Sequence, residues 1–383
     1  MPYVRLSGFY LFYFALLGSL VPYWSLYLQS FGLSVQVIGV LMALLHLSRV
    51  IAPNVWGWLA DHTGQRLRIV RWGACLTWIV FIAIFWQTSA LGIGLVMLLF
   101  SFFWNAVLPQ FEVLTLQHLG SSRDKYSRIR LWGSIGFVVA VLGTGMLLDL
   151  IDIRWLPAVA LVLMVLIWLN TLVVPAPSMG PSKERTSKSL RNILCIPQVQ
   201  VFLLVFFLVQ FSHGPYYTFY SVMLQDLGYS RSQIGQLWAV GVVAEVLLFI
   251  IMPMLFKRHS LRLLLLISVL LCALRWFLIA FFADSLPILL FAQLLHAASF
   301  GSLHAVGIAL VYHYFSQNTQ GRGQALFASA GFGAGGAAGA LFSGMFWASW
   351  GGGVTFIVAA SVSLIAFVIA YFWIYPDRFK QLD

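Results

Sequence analysis

Residues 28–39 read LQSFGLSVQVIG, and residues 224–235 read LQDLGYSRSQIG. Leu28, Gln29, Gly32, Ser34, Ile38 and Gly39 return 196 positions later as Leu224, Gln225, Gly228, Ser230, Ile234 and Gly235. A second pair, Ser134-x-Gly136-Phe137 and Ser329-x-Gly331-Phe332, lies at an offset of 195. Nearly equal offsets of about half the chain length mark an internal repeat. The surrounding composition says what kind of unit repeats. Of 383 residues, 61% are hydrophobic and only 9% are charged. A soluble domain carries about 25% charged residues, so a water-soluble globular fold is excluded. Extended disorder, which needs low hydrophobicity and high charge, is excluded as well.

A spanning helix needs about 20 mostly apolar residues. Outward from the repeat, that rule places spans near 6–29, 37–60, 69–88, 91–117, 127–149 and 155–174, then 199–224, 233–255, 262–283, 286–312, 323–346 and 352–375. The polar stretch Pro175–Pro197 divides them six and six. The sequence therefore predicts an all-α membrane protein of 12 transmembrane helices in two parallel six-helix halves. The expected boundaries are 1–175 for the first bundle, 176–197 for an interdomain loop and 198–383 for the second bundle.

Loop charges orient the chain. With both termini on one side, 18 of the 22 Lys and Arg fall on that side, Arg154 and Arg231 on the other, and Arg49 and Arg275 inside spans. The positive-inside rule then predicts cytoplasmic termini and a cytoplasmic loop at 176–197. The net charge of +11 follows from this topology, which removes the case for a nucleic-acid partner. The N-terminal apolar run lacks a small-x-small cleavage site and reads as an uncleaved first span. Cys75, Cys195 and Cys272 are scattered, with no disulfide or metal spacing. No cofactor, metal centre or nucleophile–base set is expected, so the reading is not an enzyme.

Ionisable residues inside a bilayer cost roughly 2.5–3.5 kcal/mol each on insertion scales and mark pathways or paired sites. Here they are Arg49, Glu112, Glu245 and Arg275, with Arg130 at the edge of the fifth span. Arg49 and Glu245 are equivalent positions of the repeat, 196 apart. Glu245 reads either as a proton carrier or as half of a structural ion pair with Arg49 or Arg275. Glu112 and Arg130 lie at similar depth on neighbouring spans and can pair. Arg130 can grip a carboxylate with its planar fork or snorkel to the interface. His296 and His304, eight apart, share one broad helix face and read as a relay or as helix linkers. Tyr216, Tyr217 and Tyr220 offer a stacking wall for a ring-bearing substrate. Gly331, Gly335 and Gly339 form a ladder for close helix packing.

Gly57-Trp58-Leu59-Ala60-Asp61-His62-Thr63-Gly64-Gln65-Arg66 resembles the major facilitator signature between the second and third spans. That resemblance implies a gating motif of Gly57, Asp61, Gly64 and Arg66. The second half has Lys257 where the first has Asp61, so the latch is expected to be one-sided. Glu112 followed 18 residues later by Arg130 resembles the substrate pair of lactose-permease-type proton symporters. Glu245, Arg275 and His296 similarly match that group's binding and proton-coupling residues. Two positions depart from it: Ser299 stands where those symporters carry a proton-carrying Glu, and Phe137 where they carry a sugar-stacking Trp. Over nearly the whole chain the sequence resembles the 3-phenylpropionate transporter family, through Arg130-Leu131-Trp132-Gly133-Ser134, 238–246 (WAVGVVAEV) and Leu294-Leu295-His296.

The resemblance implies a proton-coupled symporter for a small aromatic carboxylate. Arg130, Glu112, Phe137, Tyr216, Tyr217, Tyr220 and Arg49 would bind substrate, and Glu245, Arg275, His296 and His304 would couple protons. It further implies a monomer, multi-pass in a bacterial inner membrane, driven by the proton gradient. A symporter for nucleosides or sugars is the alternative.

Overall fold

In a computed structural model, described for residues 2–120, 122, 125–177, 194–316 and 319–375, the chain is almost wholly helical. The linker charges Lys183, Arg185, Lys188 and Arg191 lie outside the described residues, as do Arg123, Arg378 and Lys380. Eleven helical tracts are long and apolar enough to cross a membrane. In the first half these are α1 (Tyr3–Leu20), α2 (Val35–Thr63), α3 (Arg66–Trp86), α4 (Ala90–Leu119), α5 (Tyr126–Leu150) and α6 (Ile153–Val173). In the second half they are α7 (Pro197–Asp226), α8 (Arg231–Arg258), α9 (Leu261–Phe282) and α10 (Leu286–Tyr314), followed by one tract of 54 residues, Gln320–Trp373. That tract is two spans long. Gly351, at φ 74°, breaks it into α11 (residues 320–350) and α12 (residues 352–373). A side chain resists that backbone, whereas glycine adopts it freely. The twelve predicted spans are all present.

Several spans are interrupted, and chemistry explains where. α1 stops at Leu20 and resumes as Trp24–Gln29 around Pro22. α7 breaks between Ser212 and Gly214, just before Pro215. Proline lacks an amide hydrogen and clashes with the preceding turn, so each half kinks its first span there. α2 and α8 each carry an internal proline, Pro53 and Pro253. α10 and α11 contain wide π turns, at Ala297–Ser302 and Ser329–Gly335. Such turns locally aim side chains and often sit at functional sites.

The chain forms two compact units. The first is Met1–Lys183 with Gly228–Ala239, and the second is Glu184–Leu227 with Val240–Asp383. The opening turns of α8 therefore cluster with the first bundle. Asp149 at the end of α5 accepts the amides of Arg231 (2.9 Å) and Ser232 (3.1 Å). These are two of the amides that any helix start leaves without an intrahelical partner. Tyr23 supports the same corner by donating to the Val141 carbonyl at 2.8 Å.

Packing inside each unit follows the repeat. In the first, α5 lies so close on α1 that a Cβ at Gly136 would strike the Leu11 carbonyl, and one at Gly18 would sit 2.5 Å from the Phe137 carbonyl. In the second, the predicted glycine ladder closes α11 onto α7. A Cβ at Gly335 would sit 2.5 Å from the Phe207 carbonyl, and one at Gly339 would strike the Phe211 carbonyl. Small residues permit this backbone approach, which dispersion then rewards in a membrane.

Candidate functional site

Each unit places a polar cluster among its buried aromatic side chains. In the first, Arg130 projects from the first turns of α5. Its guanidinium carbon lies 3.9 Å from the ring centroid of Phe14 and 5.8 Å from that of Tyr10. A cation over an aromatic face is stabilised by about 0.5–2 kcal/mol, more as water is excluded. Among the described residues no acceptor takes a hydrogen bond from Arg130. Glu112 on α4 instead accepts the Tyr126 hydroxyl at 3.3 Å. Arg130 is an electrostatic neighbour of Glu112 and Tyr10, and together with Arg49 also of Tyr13. Arg49, Glu112 and Arg130 are thus gathered around the tyrosines of α1, although Glu112 and Arg130 do not form the direct pair that their matched depth allows. Phe137, two turns along α5, is half-buried, and its carbonyl faces Gly18.

A second polar contact in this unit has no counterpart in the sequence reading. Asn105 on α4 donates to the Ser48 hydroxyl on α2 at 2.7 Å, next to Arg49. Both side chains are buried. An amide and a hydroxyl on different apolar helices carry no motif, so only the fold reveals the pair.

The residues of the loop signature between α2 and α3 make contacts of their own. Arg66 donates to Asp61 and also to Gln110 on α4. Gly64 ends α2 at φ 66°, a left-handed cap of the kind glycine favours. Gly57 lies on α2 opposite Gln110, 3.6 Å from its amide nitrogen when a Cβ is built. Gln110 is thus a further polar partner of Arg66 that the local pattern does not include.

The cluster of the second unit centres on Arg275 of α9, which is 0% exposed. Its Nη1 donates to His296 Nδ1 at 3.0 Å and to the Ser299 hydroxyl at 3.1 Å, and its Nη2 donates to Gln293 Oε1 at 3.1 Å. The Tyr216 ring lies under it, 4.2 Å from centroid to guanidinium carbon, and the Trp276 ring 4.7 Å away. Tyr216 also donates to Gln293 at 3.0 Å, and Gln293 in turn donates to the Tyr220 hydroxyl at 2.5 Å. His296 Nε2 faces Glu245 of α8 at 3.5 Å. Glu245, His296 and Arg275 therefore form a continuous line. His304 lies further along α10 with its ring near Phe300, Phe327 and Phe332. His296, Phe300 and His304 stand nearly parallel in a row, tilted by 6° and 9°, so the two histidines do share a face.

The tyrosines of α7 have more specific duties than a stacking wall. Tyr216 and Tyr220 are fully buried and their hydroxyls meet Gln293, whereas Tyr217 is half-buried beside His213. Gln293 was not singled out by the sequence, and Ser299 only as a departure from the lactose-permease-type pattern. Ser299 enters through the π turn, which carries it to Arg275. Its position, where lactose-permease-type symporters carry a Glu, was the one available signal. Among the described residues no three His, Cys, Asp or Glu side chains gather as a metal site requires.

Comparison with known proteins agrees with this architecture. The model of the MFS_1 like family matches residues 3–358. The probable 3-phenylpropionic acid transporter of Escherichia coli K12 is 31% identical over 359 residues, which is 91% of this chain and 92% of that protein. The maltose permease of Geobacillus stearothermophilus is 30% identical over 293 residues, 73% of this chain and 72% of that protein. Among solved structures, the nucleoside transporter NupG superposes with a TM-score of 0.81, covering 99% of this chain and 100% of that one at 18% identity. A bacterial homologue of the lysosomal transporter Spinster gives 0.73 at 14% identity, covering 98% of each chain. At these identities the two structures speak for the fold alone.

Proposed function

This chain belongs to the MFS_1 like family and is a multi-pass membrane transporter, and from that premise we propose that it takes up a small aromatic carboxylate, such as 3-phenylpropionate, together with protons. The observation that carries the proposal is the state of Arg130. A guanidinium inside an apolar bundle, backed by aromatic faces and given no acceptor among the described residues, is complementary to an incoming carboxylate. Its fork can make two parallel charge-assisted hydrogen bonds with one. The name of the Escherichia coli relative supports the same substrate class. Phe137, half-buried two turns along the same helix as Arg130, is the ring we assign to the aryl group. Glu112, held by Tyr126, would steer the anion away from itself and onto Arg130.

Proton coupling is assigned to Glu245, with His296 and Arg275 as the groups that sense its charge. Protonation of Glu245 removes the negative charge facing His296 and so changes an ionisable contact of this cluster on α8. His304 extends the line along α10. Alternating access, Asp61–Arg66 gating, cytoplasmic termini, an inner-membrane location and a monomeric unit complete the proposal.

Uptake of labelled 3-phenylpropionate into vesicles with an imposed pH gradient tests it. The expected result is accumulation that collapses with a protonophore and is abolished by Arg130→Ala. Accumulation indifferent to the protonophore removes proton coupling, and full uptake by Arg130→Ala removes the carboxylate role. A neutral-sugar reading has one specific point in its favour, the maltose permease relative. Competition by maltose and not by aromatic acids in the same vesicles would select it.

A further inference from the structure

Long side chains inside a bundle are usually aimed by their hydrogen-bond partners. Arg130 is aimed by something else. The carbon of its guanidinium lies 3.9 Å from the centroid of the Phe14 ring. Gly133, one turn further along α5, lies beside both of them. A Cβ built there would meet Arg130 Nη1 at 2.7 Å and Phe14 Cδ2 at 2.8 Å. The guanidinium, the ring and the bare backbone of Gly133 are thus packed to the limit of contact. Any side chain at 133 would have to displace the cation or the ring. Phe14 is half-buried, on α1, and Tyr10 lies one turn away at 5.8 Å from the same carbon.

We infer that Phe14 and Gly133 are positioning residues for the anion site: the ring face and the missing Cβ hold the Arg130 fork in a fixed place, so that its N–H groups are committed to the substrate carboxylate and to nothing else. This rests on the reading of Arg130 as the carboxylate ligand. Holding a cation with a π face is suited to that task. A carboxylate or an amide carbonyl would orient the fork just as well, but it would also compete with the substrate for the same N–H groups. A ring attracts the charge and accepts no conventional hydrogen bond from it. The order of the fork is thereby supplied before binding, which lowers the entropic cost of bidentate capture.

Two readouts separate this from a simple packing role. The first is the KM and Vmax of 3-phenylpropionate uptake in vesicles, with melting temperature as the control for folding. Phe14→Leu keeps the bulk and removes the π face, so KM rises by about 3–10-fold at unchanged Vmax and melting temperature, while Phe14→Tyr stays close to wild type. Gly133→Ala raises KM in the same way. The second is the nuclear magnetic resonance spectrum of 15N-arginine-labelled protein in nanodiscs. Guanidinium protons over a ring face shift upfield, so a ring-shifted signal absent from Arg130→Lys is expected in wild type and Phe14→Tyr and is lost in Phe14→Leu. The inference is overturned by an unchanged KM in Phe14→Leu, by Phe14→Tyr being as impaired as Phe14→Leu, or by a wild-type spectrum without the ring-shifted signal. Wild-type protein that takes up no aromatic acid refutes the substrate reading instead, and the spectra still decide whether Phe14 positions Arg130.

Discussion

Two arginines set among aromatic rings, one in each unit, solve the same physical problem in opposite ways. Arg275 is enclosed completely, with His296, Ser299 and Gln293 accepting from its fork and two rings against its faces. Arg130 is half-buried, and among the described residues it has rings, Phe14 at 3.9 Å and Tyr10 at 5.8 Å, and no hydrogen-bond acceptor. A desolvated cation is costly unless its hydrogen bonds are made. Arg275 has its partners built in, so the second unit uses it as the hub of a cluster. Among the described residues Arg130 has none, which under the proposed function leaves its hydrogen-bonding capacity for a ligand. On that proposal identical side chains divide into a structural and charge-sensing centre in one unit and a binding centre in the other.

The largest effect that tests this contrast is on folding. Arg275→Ala strips partners from Gln293, His296, Ser299 and Tyr216 at once, within a fully buried cluster. Such a deletion costs about 3–5 kcal/mol. Arg130→Ala removes ring contacts alone, about 1 kcal/mol. Melting curves of the purified proteins in detergent should therefore place Arg275→Ala well below Arg130→Ala. Equal melting temperatures for the two variants would break the contrast.

The next effect is on transport. Arg130→Lys keeps the positive charge and the aromatic contact but loses the planar fork. The expected outcome is a folded protein whose uptake efficiency for 3-phenylpropionate drops by about 10–100-fold, equivalent to one or two charge-assisted hydrogen bonds. An uptake assay in vesicles over a concentration series measures it. Lysine working as well as arginine would mean that Arg130 supplies charge without geometry, and the division of labour would then reduce to exposure alone.

Which parts of this contrast are visible in the sequence follows from how far each signal reaches along the chain. The twelve spans are legible because hydropathy is a local sum, and Gly351 marks the boundary inside the 54-residue tract that length alone would leave ambiguous. The repeat offset foretells that α1 meets α5 and α7 meets α11 in like manner, and Gly136 and Gly339 show it. Arg130, Arg275, Glu245 and His296 stand out because charge is rare in apolar helices. Gln293, Ser299, Asn105 and Gln110 do not, since uncharged polar residues are unremarkable in a helix until a partner on another helix is known. Depth puts Glu112 near Arg130, and the two are electrostatic neighbours. Direction around the helix keeps them from a direct pair, because Tyr126 takes the carboxylate and Phe14 takes the cation.

The smallest effect extends the comparison to arginines at the ends of the bundles. Arg71 on α3 donates to the carbonyls of Thr171, Leu172 and Val174, at 3.2, 3.2 and 3.0 Å, where α6 ends. Arg262 on α9 does the equivalent for α12, donating to the Tyr371 carbonyl at 2.7 Å with its guanidinium over the rings of Tyr371 and Tyr375. In both units the third helix thus lends a cation to the carbonyls that close the sixth, where the helix dipole is negative and acceptors lack intrahelical partners. Neither cation is deeply buried, so solvent screens the charge and each contact is worth about 1 kcal/mol or less. Arg71 makes three such bonds and Arg262 one, so Arg71→Gln should lower the melting temperature slightly more than Arg262→Gln, by roughly 2–4 °C against about half that. Added salt should narrow the gap between wild type and both variants. A larger loss from Arg262→Gln would show that the tyrosine rings, not the carbonyls, carry the contact. The second unit would then hold its peripheral arginine as the first holds Arg130.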